Sequence, residues 1–236
     1  MTAPENAPET DPENEPQNTR ESAAIVFDID GTLVDSTYHH AIAWQRAFDR
    51  NDVTIPLWRI HRTVGMGGDK LVAAVAGEDV EERLGDTLRD EWKEEYEKIK
   101  PEVFPLPGAA ELVRRLSSDG YQVALASSGD PAFAEEALDD LDIRDLVADL
   151  KSAGDVDASK PEPDLVEVTL EAVGRAAVMV GDTPYDVESA QRAGLKCIAV
   201  RSGGYGQAEL EEAGAALVVD GVEDLIDLDW SKYLPH

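Results

Sequence analysis

The chain has 236 residues, 42% of them hydrophobic, enough for one larger α/β domain or a core domain with a smaller insertion. Its 50 acidic against 21 basic residues give a formal charge of −29, a surface that repels nucleic acid and anionic lipid and so excludes both as partners. No apolar stretch approaches the ~20 residues of a membrane span, and the N-terminus lacks the basic-then-apolar pattern of a signal peptide, so the protein is expected to be soluble and cytoplasmic.

Residues 1–21 are rich in Pro, Glu, Asn and Thr and nearly devoid of large apolar side chains. They read as a solvated acidic tail without chemistry. The body then alternates. Ala24-Ile25-Val26-Phe27 is a buried strand ending at Asp28. Residues 37–104 break the rhythm: Ala41, Trp44 and Phe48 share one helical face, and Leu84, Leu88, Tyr96 and Ile99 another, with no convincing strand. They read as a helical module inserted between the first and second strands. Pro107-Gly108 opens a helix whose face is Ala109, Leu112, Val113 and Leu116, closed by Gly120. Tyr121 to Ala126 is the second strand, Ala132 to Leu141 a helix, and Asp164 to Val173 another. Ala176 to Val180 is a strand ending at Gly181-Asp182, followed by a helix from Val187 to Ala193 that Gly194 stops. Cys197 to Val200 and Ala216 to Val219 are further strands. Cys197, the single cysteine, permits no intrachain disulfide or cysteine metal cluster and reads as buried strand.

The fold class is therefore α/β, a Rossmann-like doubly wound parallel sheet with an inserted α-helical domain. The expected division is a tail (1–21), a core (22–36 and 105–236) and the insertion (37–104). Lysines number 8 against 13 arginines, an acid-rich, Lys-poor composition that resembles proteins of salt-loving archaea, an acidic mesophile protein being the alternative.

Four polar sites follow strands or open helices, where open α/β sheets bind their ligands. In Asp28-Ile29-Asp30-Gly31-Thr32-Leu33-Val34-Asp35, Asp28 has the placement of a nucleophile on phosphorus. Asp30 is placed to protonate the leaving oxygen and then take a proton from the attacking water. Ser127-Ser128-Gly129, directly after a strand, reads as a phosphate cradle or simply as helix-capping serines. Lys160, held between Ser159 and Pro161, is a cation for the nucleophile and the phosphoryl group. Gly181-Asp182-Thr183-Pro184-Tyr185-Asp186 places two carboxylates past a strand, suited to a hard cation with oxygen ligands. Magnesium would take Asp28, the Asp30 backbone carbonyl and Asp182, with Asp186 nearby or bound through water.

Together and in this order, these motifs resemble the haloacid dehalogenase superfamily, in particular its phosphoglycolate phosphatase and beta-phosphoglucomutase-like members. The resemblance covers roughly residues 22 to 220. It implies magnesium dependence, Asp28 as nucleophile, a small phosphorylated metabolite as substrate, and residues 37–104 as a helical cap. His61 to Gly68 then resembles the cap's substrate-specificity loop, with Arg62 or Lys70 either holding a distal anionic group or simply exposed. The aspartate at position 30 argues against carbon–halogen cleavage. A sugar-phosphate mutase and a phospho-accepting receiver domain are the alternatives. His39 and His40 read as exposed; Trp44, Trp58 and Trp92 read as packing within the insertion; Gly203 to Gly206 reads as a plain loop.

Overall fold

The computed structural model describes residues 23–174 and 176–235. The acidic tail lies outside the described residues. Six parallel strands form one sheet in the order β3-β2-β1-β4-β5-β6: β1 Ala24–Phe27, β2 Gln122–Ala126, β3 Val147–Lys151, β4 Ala177–Gly181, β5 Cys197–Val200 and β6 Leu217–Val219. The helices are α1 Thr37–Arg50, α2 Leu57–His61, α3 Gly68–Ala76, α4 Glu78–Ile99, α5 Ala109–Ser118, α6 Pro131–Leu141, α7 Asp164–Val173, α8 Pro184–Arg192 and α9 Gln207–Ala213. The helices α5 to α9 lie along the sheet and α1 to α4 belong to the insertion.

Strand side chains alternate between the two faces of the sheet. On β1, Ile25 and Phe27 join Leu112, Val113 and Leu116 of α5 on one face, whereas Ala24 and Val26 join Leu165 and Val166 of α7 and Val187 of α8 on the other. Both faces are covered, which explains the unbroken apolar runs of β1, β2, β4 and β5. The edge strand β3 was not expected from the sequence. Its residues Val147-Ala148-Asp149-Leu150-Lys151 are half-buried or exposed, and it lacks the apolar run that marks its neighbours.

The chain runs outward from β1 through β2 to β3, then crosses back to place β4 on β1's other side. The crevice at such a reversal is where doubly wound sheets bind ligands. Register aligns the strand ends: Phe27 pairs with Leu125 on β2 and with Val180 on β4. The residues that follow these strands (Asp28, Ser127, Asp182) therefore emerge side by side.

Residues 37 to 104 have an apolar cluster of their own, built on Ala41, Trp44, Phe48, Ile60, Leu71 and Leu88. Trp44 and Trp92 pack in it as expected, but Trp58 is 68% exposed, because α2 is a single short turn with its outer face to solvent. Chain enters and leaves the insertion through two adjacent segments. Val34 pairs antiparallel with Pro105, Asp35 N donates to Phe104 O and Leu106 N to Leu33 O, each at 2.9 Å. No helix among the described residues is long and apolar enough to cross a membrane.

The turn after β1 depends on Gly31, at φ +77°, where a Cβ would run into the Thr37 hydroxyl and the Asp182 carboxylate. Gly31→Ala is expected to destabilise the protein by more than ~1 kcal/mol, measured as a lowered denaturation midpoint, since it adds backbone strain and a steric conflict.

Candidate active site

Asp28 directly follows β1, and its backbone N–H donates to Val180 O at 2.9 Å, which locks it to the end of β4. Lys160 comes from the loop before α7 and is only 1% exposed. Its ammonium donates to Asp28 Oδ1 and lies 2.8 Å from Asp186 Oδ1. Asp186 is the third residue of α8, and its Oδ2 accepts from the Thr183 N–H at 3.0 Å and the Thr183 hydroxyl at 2.7 Å. This capping box fixes the turn that carries Asp182. Asp28, Asp182 and Asp186 each offer an oxygen within 4.8 Å of the other two.

Asp182 Oδ1 accepts from the Thr32 hydroxyl at 3.3 Å, while its buried Oδ2 has no hydrogen-bond partner among the described residues. An orphaned carboxylate oxygen beside two more acids, with one lysine to offset three charges, fits a hard divalent cation. Asp28 and Asp182 have oxygens to give it. Asp186 Oδ2 is taken by Thr183, while its Oδ1, 2.8 Å from the Lys160 ammonium, has no hydrogen-bond partner among the described residues, so Asp186 holds Lys160 and the α8 turn and still turns one oxygen to the cluster.

Asp30 faces away from this cluster. It accepts from Ser36 Oγ at 2.5 Å and lies 2.9 Å from His40 Nε2. The expectation that His40 is exposed is corrected: it is 5% exposed and stacks on Tyr96 at 4.0 Å between ring centroids. His39 is half-buried. The residue types in α1 gave no sign that its inward face would meet a polar group.

The charges set distinct acidities. Burial is the largest influence on Asp28 and raises it; Lys160 opposes, Asp186 and Asp30 add to the rise, and the carboxyl stands at about 7. Burial, then Asp186 and Asp28, lift Asp182 well above the ordinary carboxylate range. Burial would raise Asp30 too, but His40 first, then Ser36 and Lys160, outweigh it and hold Asp30 below that range. Lys160 stays charged: burial disfavours its ammonium, but Asp186 and Asp28 outweigh that cost.

Asp28, Asp30, Ser128 and Gly129 line a cavity of about 50 Å³, with Val64, Gly65, Met66 and Gly68 of the insertion above them. The Ser128 hydroxyl is buried and has no partner among the described residues. Ser127 Oγ instead accepts from Gly129 N at 3.0 Å, which shapes the loop. Ser128 is thus the better placed of the two expected phosphate-binding serines. Arg62 and Lys70, expected either to hold a distal anionic group or simply to be exposed, do not line this cavity. Arg62 pairs with Glu209 and lies 4.1 Å over the Tyr205 ring, and Lys70 donates to Ser159 O at 2.6 Å. Acids and carbonyls of the core, distant in sequence, claim both cations.

The loop after β5 has a larger part than the sequence indicated. Ser202 Oγ donates to Gly31 O at 2.5 Å, and His61 Nε2 meets Gly203 O at 2.9 Å. A Cβ on Gly203 would occupy the space of the Asp182 carboxylate. Two consecutive glycines after a buried strand were the available signal of this close approach.

The family model for haloacid dehalogenase-like hydrolases matches residues 23–194. The chain is 28% identical over 220 residues to the validoxylamine A 7'-phosphate phosphatase of Streptomyces hygroscopicus subsp. limoneus, covering 89% of this chain and 96% of that protein. It is 27% identical over 224 residues to a phosphoglycolate phosphatase of Pseudomonas syringae pv. tomato, covering 89% and 82% of the two chains. The crystal structure of a hydrolase from Pseudomonas syringae superposes with a TM-score of 0.82 at 31% identity, over 87% of this chain and 96% of that one.

Raised carboxyls at Asp28 and Asp182 hold protons that a metal ion must displace. Magnesium is therefore expected to raise the melting temperature at about pH 8, and to do so progressively less as pH falls through about 7. A thermal-shift series across pH at fixed magnesium measures this; an equal increment at about pH 5 and pH 8 contradicts it.

Proposed function

The chain belongs to the haloacid dehalogenase-like hydrolases, and on that premise we propose that it hydrolyses a small phosphomonoester with magnesium, through a phosphoryl group carried on Asp28. Its relatives named as phosphatases of phosphoglycolate and of validoxylamine A 7'-phosphate support a small phosphorylated metabolite as substrate. The observation that carries the reading is the convergence of Asp28, a buried ammonium and a carboxylate oxygen without a partner at the ends of two adjacent strands.

In the first step a carboxylate oxygen of Asp28 attacks phosphorus. The bond from phosphorus to the ester oxygen breaks, Asp30 gives that oxygen its proton, and the alcohol departs. The contacts from His40 and Ser36 favour ionised Asp30, the form that takes the proton of the attacking water in the second step, and the proton taken there is the one given to the next ester oxygen. In the second step water attacks the phosphorus of the acyl phosphate and yields a proton to Asp30, releasing inorganic phosphate and restoring Asp28. Lys160 offsets the charge of Asp28 and of the phosphoryl oxygens, and Ser128 Oγ donates to one of those oxygens. Asp28, Asp182 and the Asp30 carbonyl would hold a magnesium ion, which when bound would further neutralise the transferring group.

Residues 37–104 act as a cap. Their loop from Val64 to Gly68 covers Asp28 and keeps bulk water from the reacting group. The mutase alternative shares this architecture, and an isomeric sugar phosphate as product, in place of inorganic phosphate, would mark it. The acid-rich composition favours function at high salt, so activity is best measured at low and high ionic strength.

Asp28→Asn is expected to lower kcat by more than ~10³-fold with the denaturation midpoint essentially retained, measured as release of inorganic phosphate. Ordinary magnesium-dependent turnover in that variant would defeat the reading. Asp30→Asn, which removes the proton carrier, is expected to slow turnover by ~10² to 10⁴-fold.

A further inference from the structure

The cavity above Asp28 and Asp30 is walled by Trp44, Trp92, Val64, Met66 and Leu71, all from the insertion. Trp44 and Trp92 lie stacked, 5.3 Å between ring centroids. The indole Nε1 of Trp92 is buried without a hydrogen-bond partner among the described residues. A buried donor left unpaired costs free energy unless a ligand supplies an acceptor. Trp92, with Gly68, Ser128 and Gly129, also lines a larger neighbouring cleft of about 440 Å³.

The cations along this path are already taken. In the cleft, Arg89 donates to Gly68 O at 2.9 Å and pairs with Glu81 and Asp86, and Lys93 bonds Asp130 at 2.6 Å. Asp69, Asp90 and Asp157 line the same cleft. In the inner cavity the one basic side chain is His40, which lies against Asp30. Arg62 and Lys70 point at the core from outside the cavity. A second acidic group on a substrate would enter a net-negative cleft and reach an apolar wall with no free cation among the described residues to receive it.

We infer that the ester's alcohol portion carries no second acid group and is a neutral unit with an apolar skeleton and at least one hydroxyl. Its carbon skeleton packs on Trp44, Met66 and Leu71, and one of its oxygens accepts from Trp92 Nε1. This rests on the phosphatase reading and narrows it, since it makes phosphoglycolate, which has a carboxylate two bonds from the ester oxygen, a poor substrate.

The test compares 2-hydroxyethyl phosphate with 2-phosphoglycolate, which differ only in a hydroxymethyl group against a carboxylate. Ethyl phosphate serves as the hydroxyl-free reference and p-nitrophenyl phosphate as the general one, all with magnesium and the full chain. The expected kcat/KM is at least ~10-fold higher for 2-hydroxyethyl phosphate than for 2-phosphoglycolate. Trp92→Phe, which keeps an aromatic ring and removes the donor, is expected to raise KM for 2-hydroxyethyl phosphate by ~2- to 10-fold and to erode its advantage over ethyl phosphate. Equal or faster turnover of phosphoglycolate overturns the inference and leaves the phosphatase reading standing. An unchanged hydroxyethyl-to-ethyl ratio in Trp92→Phe removes the indole's part. Release of phosphate from none of the four esters removes the phosphatase reading, and the inference with it.

Discussion

The buried ammonium of Lys160 holds the site together. Among the described residues it is the one basic group paired with the Asp28, Asp182 and Asp186 cluster, and all four side chains are nearly excluded from water. A lysine so placed is tolerated because two carboxylates meet it, and those carboxylates are tolerated because the lysine meets them. The arithmetic still leaves excess negative charge concentrated at the oxygen of Asp182 that nothing satisfies. A site in this state is poised to take up positive charge, and then a phosphoryl group. Burial is the largest cause of the raised carboxyl groups of Asp28 and Asp182, and the neighbouring acids add to it.

Much of the surrounding chain serves to bring backbone close to those charges. Gly31 and Gly203 both approach the Asp182 carboxylate at points where any side chain would collide with it. From the insertion, Gly65 sits against Thr183 and Gly67 against Asp69 and Ser159. Gly67 N also donates to Ser159 Oγ at 3.0 Å, next to Lys160 in sequence. Small residues at these points bring two separately packed parts of the chain into contact over the reacting groups. Longer side chains secure the arrangement from outside: Arg62 to Glu209, Lys70 toward Glu162 and Lys93 to Asp130.

The sequence was most informative where chemistry follows directly from a buried strand. Asp28, Ser127 and Asp182 each come immediately after an apolar run, so the run locates the residue and parallel pairing locates its neighbours. Lys160 was legible through the fixed order of the motifs. What escaped detection depends on pairings between distant segments. β3 has the composition of an exposed edge and declares itself only by pairing with β2. His40 lies ten residues beyond Asp30, on a helix whose rotation decides whether it faces solvent or the carboxylate. Arg62 and Lys70 were left between substrate contact and plain exposure because a cation in a loop shows its charge but not the acid it will meet, here Glu209 and Glu162. Trp58 has the same side chain as Trp44, yet only the latter falls on a helical face turned inward.

The paired crossing segments, Val34 beside Pro105 and Asp35 beside Phe104, place the doorway and the exit of the helical module next to each other. The sheet therefore sees this 70-residue-scale excursion much as it would a tight hairpin, because the two ends arrive already joined by backbone hydrogen bonds. Modules of other sizes and side-chain linings can be exchanged at that seam without straining the strands below.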